Sequence, residues 1–227
     1  MNYLAHSLAC LDDPYQLAGA AVPDWLGLTQ PRLRCRSRQA ASFANALDAR
    51  VAAVARGVLR HHADDDWFHQ SEAFCNLSLE FARRVRRVTG DVDGMRPSFL
   101  GHILVELLLD ATLLAEDRSC VDAYYAALNQ IDAEVVAGAV GTMIIADAST
   151  LASIIRRFTA MRFLYDYADD SRLTYRLNQV MRRVRLPELP GQFTAILPAA
   201  RRLVAEHRDE LLPPARVQPP VLASLSA

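Results

Sequence analysis

The chain has 227 residues, of which 52% are hydrophobic and 22% charged, and its formal net charge is −1. This length suits one domain with a substantial core, and the composition excludes a disordered chain. The near-neutral charge gives no reason to expect a nucleic acid or an anionic membrane as partner. All 25 basic residues are arginine, which excludes chemistry that depends on lysine.

Apolar residues recur at spacings of three and four through most of the chain, the pattern of amphipathic helices. The predicted helices span residues 40–60, 72–88, 99–115, 119–130, 132–145, 148–167, 170–184 and 191–210. No run of alternating β-branched residues is visible, and there are only nine glycines. We therefore predict an all-α protein, with one helical domain over residues 1–212 and a flexible, proline-rich tail over 213–227.

Neither a targeting segment nor a disulfide framework is visible. The opening MNYLAHSLACLDDPY lacks the basic region of a signal peptide, and the apolar run 135–146 is too short to cross a bilayer. The four cysteines, at positions 10, 35, 75 and 120, are widely spaced and form no CxxC pair. We expect a cytoplasmic protein with reduced thiols.

The stretch GVLRHHADDDWFH (57–69) concentrates histidines and aspartates on a predicted helix. His61, Asp65 and His69 lie four residues apart and therefore share one helix face. Imidazole and carboxylate groups at this spacing can bind one divalent cation. Three further polar residues point away from that face and are predicted to be solvated or to mark the start of a helix: His62, Asp64 and Asp66.

A second polar series interrupts the apolar helix FLGHILVELLLDATLL (99–114). His102, Glu106 and Asp110 again lie four residues apart. Because burying an unpaired carboxylate costs several kcal/mol, this series predicts either a buried polar site or a stripe that faces water.

Two residues near the N-terminus are weaker candidates. His6 lies in the apolar context NYLAHSLA, where a histidine is commonly a hydrogen-bonded core residue. Asp24 follows a proline, where a turn or a helix cap is the alternative to a site. Taken with the two series above, these residues supply nitrogen and oxygen donors from three or four helices. Such a mixed set suits a hydrolytic site for manganese, iron, zinc or magnesium.

The segments MNYLAHSLAC, LAGAAVPDWLG and GVLRHHADDDWFH resemble the acyl carrier protein phosphodiesterase family. FLGHILVELLLDATL and FLYDYADDSRLTYRLNQVMRRV look like the family's later histidine helix and its C-terminal segment. The resemblance implies a helical fold similar to the HD-domain phosphohydrolases. It also implies a divalent cation, typically manganese, and hydrolysis of the phosphodiester that joins 4′-phosphopantetheine to a serine of acyl carrier protein.

The resemblance and the spacing together give the predicted site. The predicted metal ligands are Asp24, His61, Asp65 and His102. The predicted acid–base or catalytic groups are Asp24, His6 and His69. Two residues are predicted to orient the ligands by hydrogen bonds: Glu106 and Asp110. The chain departs from the family at Gly101, where an aspartate is expected, and at His69, where the family has an acidic residue.

Three classes of function are compatible with the sequence, and they differ in substrate. An acidic carrier protein would suit a basic patch, for which Arg32–Arg38 and Arg83–Arg87 are candidates, although both could be solvated surface. A deep, narrow pocket would favour an HD-like phosphohydrolase that acts on a nucleotide or other small phosphoester. The third class is a non-catalytic helical relative whose polar residues are structural, and metal analysis discriminates it from the other two.

Overall fold

The computed structural model describes residues 1–29, 33–90 and 92–217, and within these ranges the chain is helical and contains no strand. The predicted all-α class is therefore confirmed. The helices are α1 (Tyr3–Ser7), α2 (Pro14–Thr29), α3 (Ser37–Ala41), α4 (Ala49–Phe68), α5 (Glu72–Thr89), α6 (Pro97–Glu116), α7 (Arg118–Leu128), α8 (Ala133–Ile144), α9 (Thr150–Met161), α10 (Asp170–Arg183), α11 (Leu197–Glu206), α12 (Arg208–Leu211) and α13 (Pro214–Val217). Three 3-10 segments join them: Leu8–Cys10, Phe163–Ala168 and Gly191–Ile196.

One contiguous cluster of buried apolar side chains runs from the first residue to α12. Its largest fully buried members are Trp25, Tyr124, Tyr125, Phe68, Phe81 and Phe193. They come from α2, α4, α5, α7 and the last 3-10 segment. Burial of each large apolar side chain stabilises the fold by about 1.5–3 kcal/mol, so this shared core holds distant parts of the chain together.

Helix α6 lies at the centre of this arrangement. It is the one helix in the described part of the chain with the length and apolar composition needed to cross a membrane, and 61% of its apolar window is buried within the protein. The helix packs against α1, α5, α7 and α11. The ionisable residues along its length, His102, Glu106 and Asp110, therefore lie among other parts of the protein.

Two close helix contacts position the polar residues. A Cβ at Gly57 would lie 2.1 Å from the Gln16 carbonyl oxygen, so α4 and α2 touch through their main chains. A Cβ at Gly101 would lie 2.3 Å from the Ser78 carbonyl oxygen, so α6 and α5 do the same. These approaches require glycine, because any side chain would collide with main-chain atoms.

The helix predicted over residues 40–60 begins later and extends further than expected. Asp48 is its N-cap and accepts a hydrogen bond from the Arg50 main-chain nitrogen at 2.9 Å, so α4 starts at Ala49. Leu47, an apolar residue within the predicted span, lies in the segment before the helix and is fully exposed. This N-cap hydrogen bond satisfies a main-chain donor at the start of the helix. The helix therefore begins at Ala49, although the apolar spacing in the sequence extends further back.

The C-terminal predictions also change. The helix predicted over 148–167 ends at Met161, because Arg162 adopts a left-handed conformation with φ of 45° and a 3-10 segment follows. Part of the predicted flexible tail is ordered: Arg60 donates to the Arg216 carbonyl oxygen at 2.6 Å, and the Arg216 guanidinium lies over the Trp67 ring at 4.9 Å. The rest of that tail, 218–227, lies outside the described residues.

Candidate functional site

A first group of candidate metal ligands joins α1 to α4. One ligand atom from each of His6, His61 and Asp65 lies within 4.8 Å of the other two. The Nε2 atoms of His6 and His61 are 3.2 Å and 3.3 Å from the Asp65 carboxylate. Donors that share an ion each lie about 2.0–2.3 Å from it, so these separations suit a common cation.

The contact between α4 and α2 fixes the orientation of His61. Its Nδ1 lies 2.8 Å from the Ala20 carbonyl oxygen, which can only accept a hydrogen bond, so Nδ1 carries the proton. The lone pair of the neutral ring is then on Nε2, which faces Asp65. Gly57, one turn before His61, permits the close approach that makes this bond.

His6 is buried, and neither of its ring nitrogens has an aligned hydrogen-bond partner. Its Nδ1 is 3.6 Å from Asp64 Oδ2, and its Nε2 contact with Asp65 is close without the alignment of a hydrogen bond. A buried polar group without a partner costs about 1–3 kcal/mol and calls for an explanation such as an ion. The chemistry and burial of these donors fit a divalent cation.

Asp64 was predicted to be solvated, and that prediction is wrong. Its side chain is 7% exposed and lies between His6 and the Arg60 Nε atom, 3.2 Å away. A sequence signal for this role existed, because Asp64 follows His61 by three residues and can share its face. Asp66, two residues after Asp64, is exposed as predicted.

A second group of candidate ligands lies beside the first. Its members are His69, the C-cap of α4, and His102 and Glu106 on α6. Glu106 Oε1 is 2.9 Å from His69 Nε2 and 3.2 Å from His102 Nε2. His102 was predicted to join His61 and Asp65, whereas the structure brings it to His69 and Glu106. Glu106 was predicted only to orient a ligand, and here it is itself a candidate ligand.

The Met1 ammonium group lies between the two groups. It is 2.7 Å from Asp65 Oδ1 and 3.3 Å from Glu106 Oε1. Burial alone would lower the pKa of this amine, but Glu106 and Asp65 outweigh burial and raise it. Burial would raise the pKa of the Asp65 and Glu106 carboxyls. The neighbouring histidines and the Met1 ammonium outweigh burial and hold both pKa values well below the usual range. This position between two ionised carboxylates suits a positive charge.

The expected aspartate at position 101 has no room in this fold. The main chain of α5 lies against Gly101, so a side chain there would meet Ser78 and Ala82. Glu106, one turn further along α6, supplies the carboxylate to the His102 ring instead.

Asp24 lies inside α2, directly after Pro23, and is neither in a turn nor at a helix cap. It belongs to neither ligand group, but its side chain lines the adjoining cavity. Burial raises the pKa of Asp24, against the lowering effect of His61 and His6. Asp24 therefore faces the cavity as a carboxyl that holds a proton more readily than an ordinary aspartate.

Asp110 has a different position from the one predicted for it. Its buried carboxylate accepts hydrogen bonds from the main-chain nitrogens of Leu4 and Ala5, at 3.0 Å and 2.9 Å, and from Asn2 Nδ2 at 2.8 Å. Burial raises the pKa of Asp110 to about 7, although these hydrogen bonds oppose the shift. Asp110 holds the start of α1 against α6 and contacts neither ligand group directly.

A cavity of about 530 Å³ adjoins the two groups, and Met1, Asp24 and Glu106 form one part of its wall. Four arginines from α9 and α10 also line it: Arg157, Arg176, Arg182 and Arg183. The sequence offered no local signal for them. The two segments predicted as basic patches for an acidic carrier protein contribute no described residue to the cavity wall: neither Arg83–Arg87 nor residues 33–38 line it, and Arg32 lies outside the described residues.

Comparison of the chain with protein-family models, with curated proteins and with solved structures finds no match. The assignment of a function therefore starts from the two ligand groups and from the cavity beside them.

Proposed function

We propose that the protein is a metal-dependent phosphodiester hydrolase similar to acyl carrier protein phosphodiesterase, with a helical arrangement of the HD-domain type. The observation that carries the proposal is the pair of histidine–carboxylate groups beside a cavity of small-molecule size. A divalent cation held there suits a phosphate ester, because such an ion interacts favourably with phosphoryl oxygens.

His6, His61 and Asp65 would hold the cation, with His69, His102 and Glu106 as a second group next to it. Mixed nitrogen and oxygen donors without a thiolate suit manganese, and iron, magnesium and zinc are the alternatives. When bound, such an ion favours ionisation of water near neutral pH and polarises a phosphoryl oxygen.

Asp24 is the best-placed residue for proton transfer. Its carboxyl faces the cavity, and its raised pKa allows it to accept a proton from an attacking water and to return it to a leaving alkoxide. His61 contributes by orientation, because its bond to the Ala20 carbonyl oxygen directs Nε2 towards Asp65. His69, predicted as an acid–base group, is assigned here to the second ligand group.

The cavity volume lies within the range of small-molecule sites. It suits the phosphopantetheine arm of a holo-acyl carrier protein, and an unrelated nucleotide or small phosphoester suits the same volume. Both substrate classes would use the same metal ligands and proton-transfer group. They differ in that the carrier-protein substrate has a protein outside the cavity, whereas the small phosphoester does not.

Metal analysis of protein purified without added metal or chelator is the first experiment. We expect bound divalent metal, with manganese the most abundant. The purified protein should then be assayed with manganese for release of phosphopantetheine from holo-acyl carrier protein and for hydrolysis of a small chromogenic phosphodiester. Activity on the small ester alone favours the nucleotide class, and inactivity on both substrates favours a non-catalytic relative. Double-stranded nucleic acid should not be hydrolysed, since the cavity offers no long basic surface.

The variant Asp65→Asn tests the ligand assignment. The substitution keeps the size of the side chain but removes the charge that holds a divalent cation, so the variant should fold, lose most bound metal and lose activity. Asp66→Asn is the matched control, because Asp66 is the exposed neighbour on the same helix. Metal content and activity of Asp65→Asn equal to those of the control would refute the assignment.

A further inference from the structure

The wall of the cavity contains two chemically different groups of residues. One group, next to the candidate ligand groups, consists of Asp24, Glu106 and the Met1 ammonium. The other group, here called the arginine side, consists of the four arginines of α9 and α10. The proposed hydrolase uses the first group for the scissile phosphodiester. It leaves the arginine side without a function.

Two of these arginines are not neutralised by the protein. Arg176 is paired with Asp166 at 2.6 Å, and Arg182 lies 3.5 Å from Glu188. Arg157 and Arg183, in contrast, form no ion pair with any carboxylate in the described part of the chain. Burial raises the pKa of the Tyr3 phenol well above its usual value, and the positive charge of Arg183 acts against that shift. Tyr3 lines the same cavity as Arg183.

The wall near these arginines is apolar. Phe158 and Met161 on α9, and Phe163 and Val180 further along, line the same cavity. Met161 is 42% exposed, although apolar side chains are usually buried. An uncharged, flexible segment of a ligand would cover this surface and release water from it.

We propose that Arg157 and Arg183 form a recognition site for a second anionic group of the substrate, which an apolar linker separates from the hydrolysed phosphoester. The ligand class is an elongated organic phosphodiester that carries a terminal phosphate. Such a ligand belongs to the small-phosphoester class of the proposed function, because the pantetheine arm of a carrier protein ends in a thiol. The position of the phosphoester rests on the proposed function, whereas anion binding by the two arginines does not. Guanidinium groups bind phosphate through paired, charge-assisted hydrogen bonds.

A matched pair of chromogenic substrates tests the site. Hexyl 4-nitrophenyl phosphate and 6-phosphohexyl 4-nitrophenyl phosphate contain the same scissile bond and linker, and only the second has a terminal phosphate. With manganese present, we expect kcat/KM of the wild type to be at least about 10-fold higher for the phosphorylated substrate, as for one charge-assisted contact. In the double variant Arg157→Gln/Arg183→Gln the two substrates should become equivalent, while hydrolysis of the hexyl ester stays unchanged.

Arg86→Gln is the control, because Arg86 is an exposed arginine near the end of α5 that does not line the cavity. It should keep the wild-type preference. Equal kcat/KM for the two substrates in the wild type would overturn the proposal, as would a loss of preference in Arg86→Gln.

A binding measurement separates this proposal from the proposed function. Hexyl phosphate is titrated calorimetrically into chelator-treated protein, so that only the arginine side is tested. We expect binding to the wild type and to Arg86→Gln, and binding at least about 10-fold weaker to the double variant. If neither ester is hydrolysed but this pattern holds, the hydrolase assignment fails and the anion site stands. Equal affinity in all three proteins would overturn the anion site.

Discussion

A single buried carboxylate, Asp110, ties the start of the chain to its central helix. The three hydrogen bonds that it accepts all come from the segment just before His6. They satisfy main-chain donors at the start of α1, which has no side-chain cap of its own. Asp110 therefore acts on the first ligand group by placing the helix that carries His6.

The pKa of Asp110 gives a pH dependence of stability. In the folded protein it is raised to about 7, whereas the ordinary value is 3.8. Between these values the folded protein holds a proton that the unfolded chain has released. The stabilisation from this proton is complete below about pH 4 and is lost as the pH rises to about 7.

We therefore expect the stability advantage of the wild type over Asp110→Asn to shrink between about pH 4 and pH 7. Urea unfolding at several pH values measures it, with Asp66→Asn as a control for a surface carboxylate. An advantage that increases with pH would show that Asp110 is ionised throughout and that its hydrogen bonds outweigh burial.

At the scale of helices, two glycines decide how closely the site-bearing elements pack. Gly57 allows α4 to touch α2, and Gly101 allows α6 to touch α5. The first contact orients His61, and the second lies next to His102. Helix α8 contains the contrasting case, since a Cβ at Gly138 would meet nothing within 4 Å.

This contrast predicts opposite effects of one substitution. Gly101→Ala places a methyl group against the main chain of α5 and should destabilise the protein by about 1–3 kcal/mol. Gly138→Ala adds the same methyl group in open space and removes a flexible residue from a helix, so it should stabilise by about 0.5–1 kcal/mol. The free energy of unfolding of both variants in urea measures the effects. A Gly101→Ala protein as stable as the wild type would mean that α5 and α6 can separate at no cost.

For the molecule as a whole, the ligand groups link segments that are far apart in sequence. The N-terminal segment (residues 1–6), α4 and α6 come together at the Met1 ammonium, which contacts Asp65 on α4 and Glu106 on α6. A cation bound there would hold these segments together, because it binds the folded protein more tightly than the unfolded chain.

Manganese should therefore raise the melting temperature. At 100 times its Kd a ligand stabilises the folded state by about 2.7 kcal/mol, which for a protein of this size is a shift of about 5–10 °C. Differential scanning calorimetry with manganese and with chelator measures the shift. Asp65→Asn should show little of it, and a full shift in that variant would place the ion elsewhere.

The sequence by itself determined the helical class, and its polar residues included the members of both candidate ligand groups. Apolar periodicity predicts helices because a buried face recurs every three to four residues, and the same rule aligned His61 with Asp65 and His102 with Glu106. Local signals fail where a cap or a left-handed residue ends a helix, as at Asp48 and Arg162.

Only the tertiary structure decided which polar residues meet. It brought His6 to Asp65, placed His102 beside His69 and Glu106, buried Asp64 and placed Arg157 beside a cavity formed largely by other helices. Spacing along a helix fixes the face on which a residue lies, but contacts between helices depend on how their surfaces pack. Here that packing depends on glycines whose role becomes visible only when the facing main chain is in place.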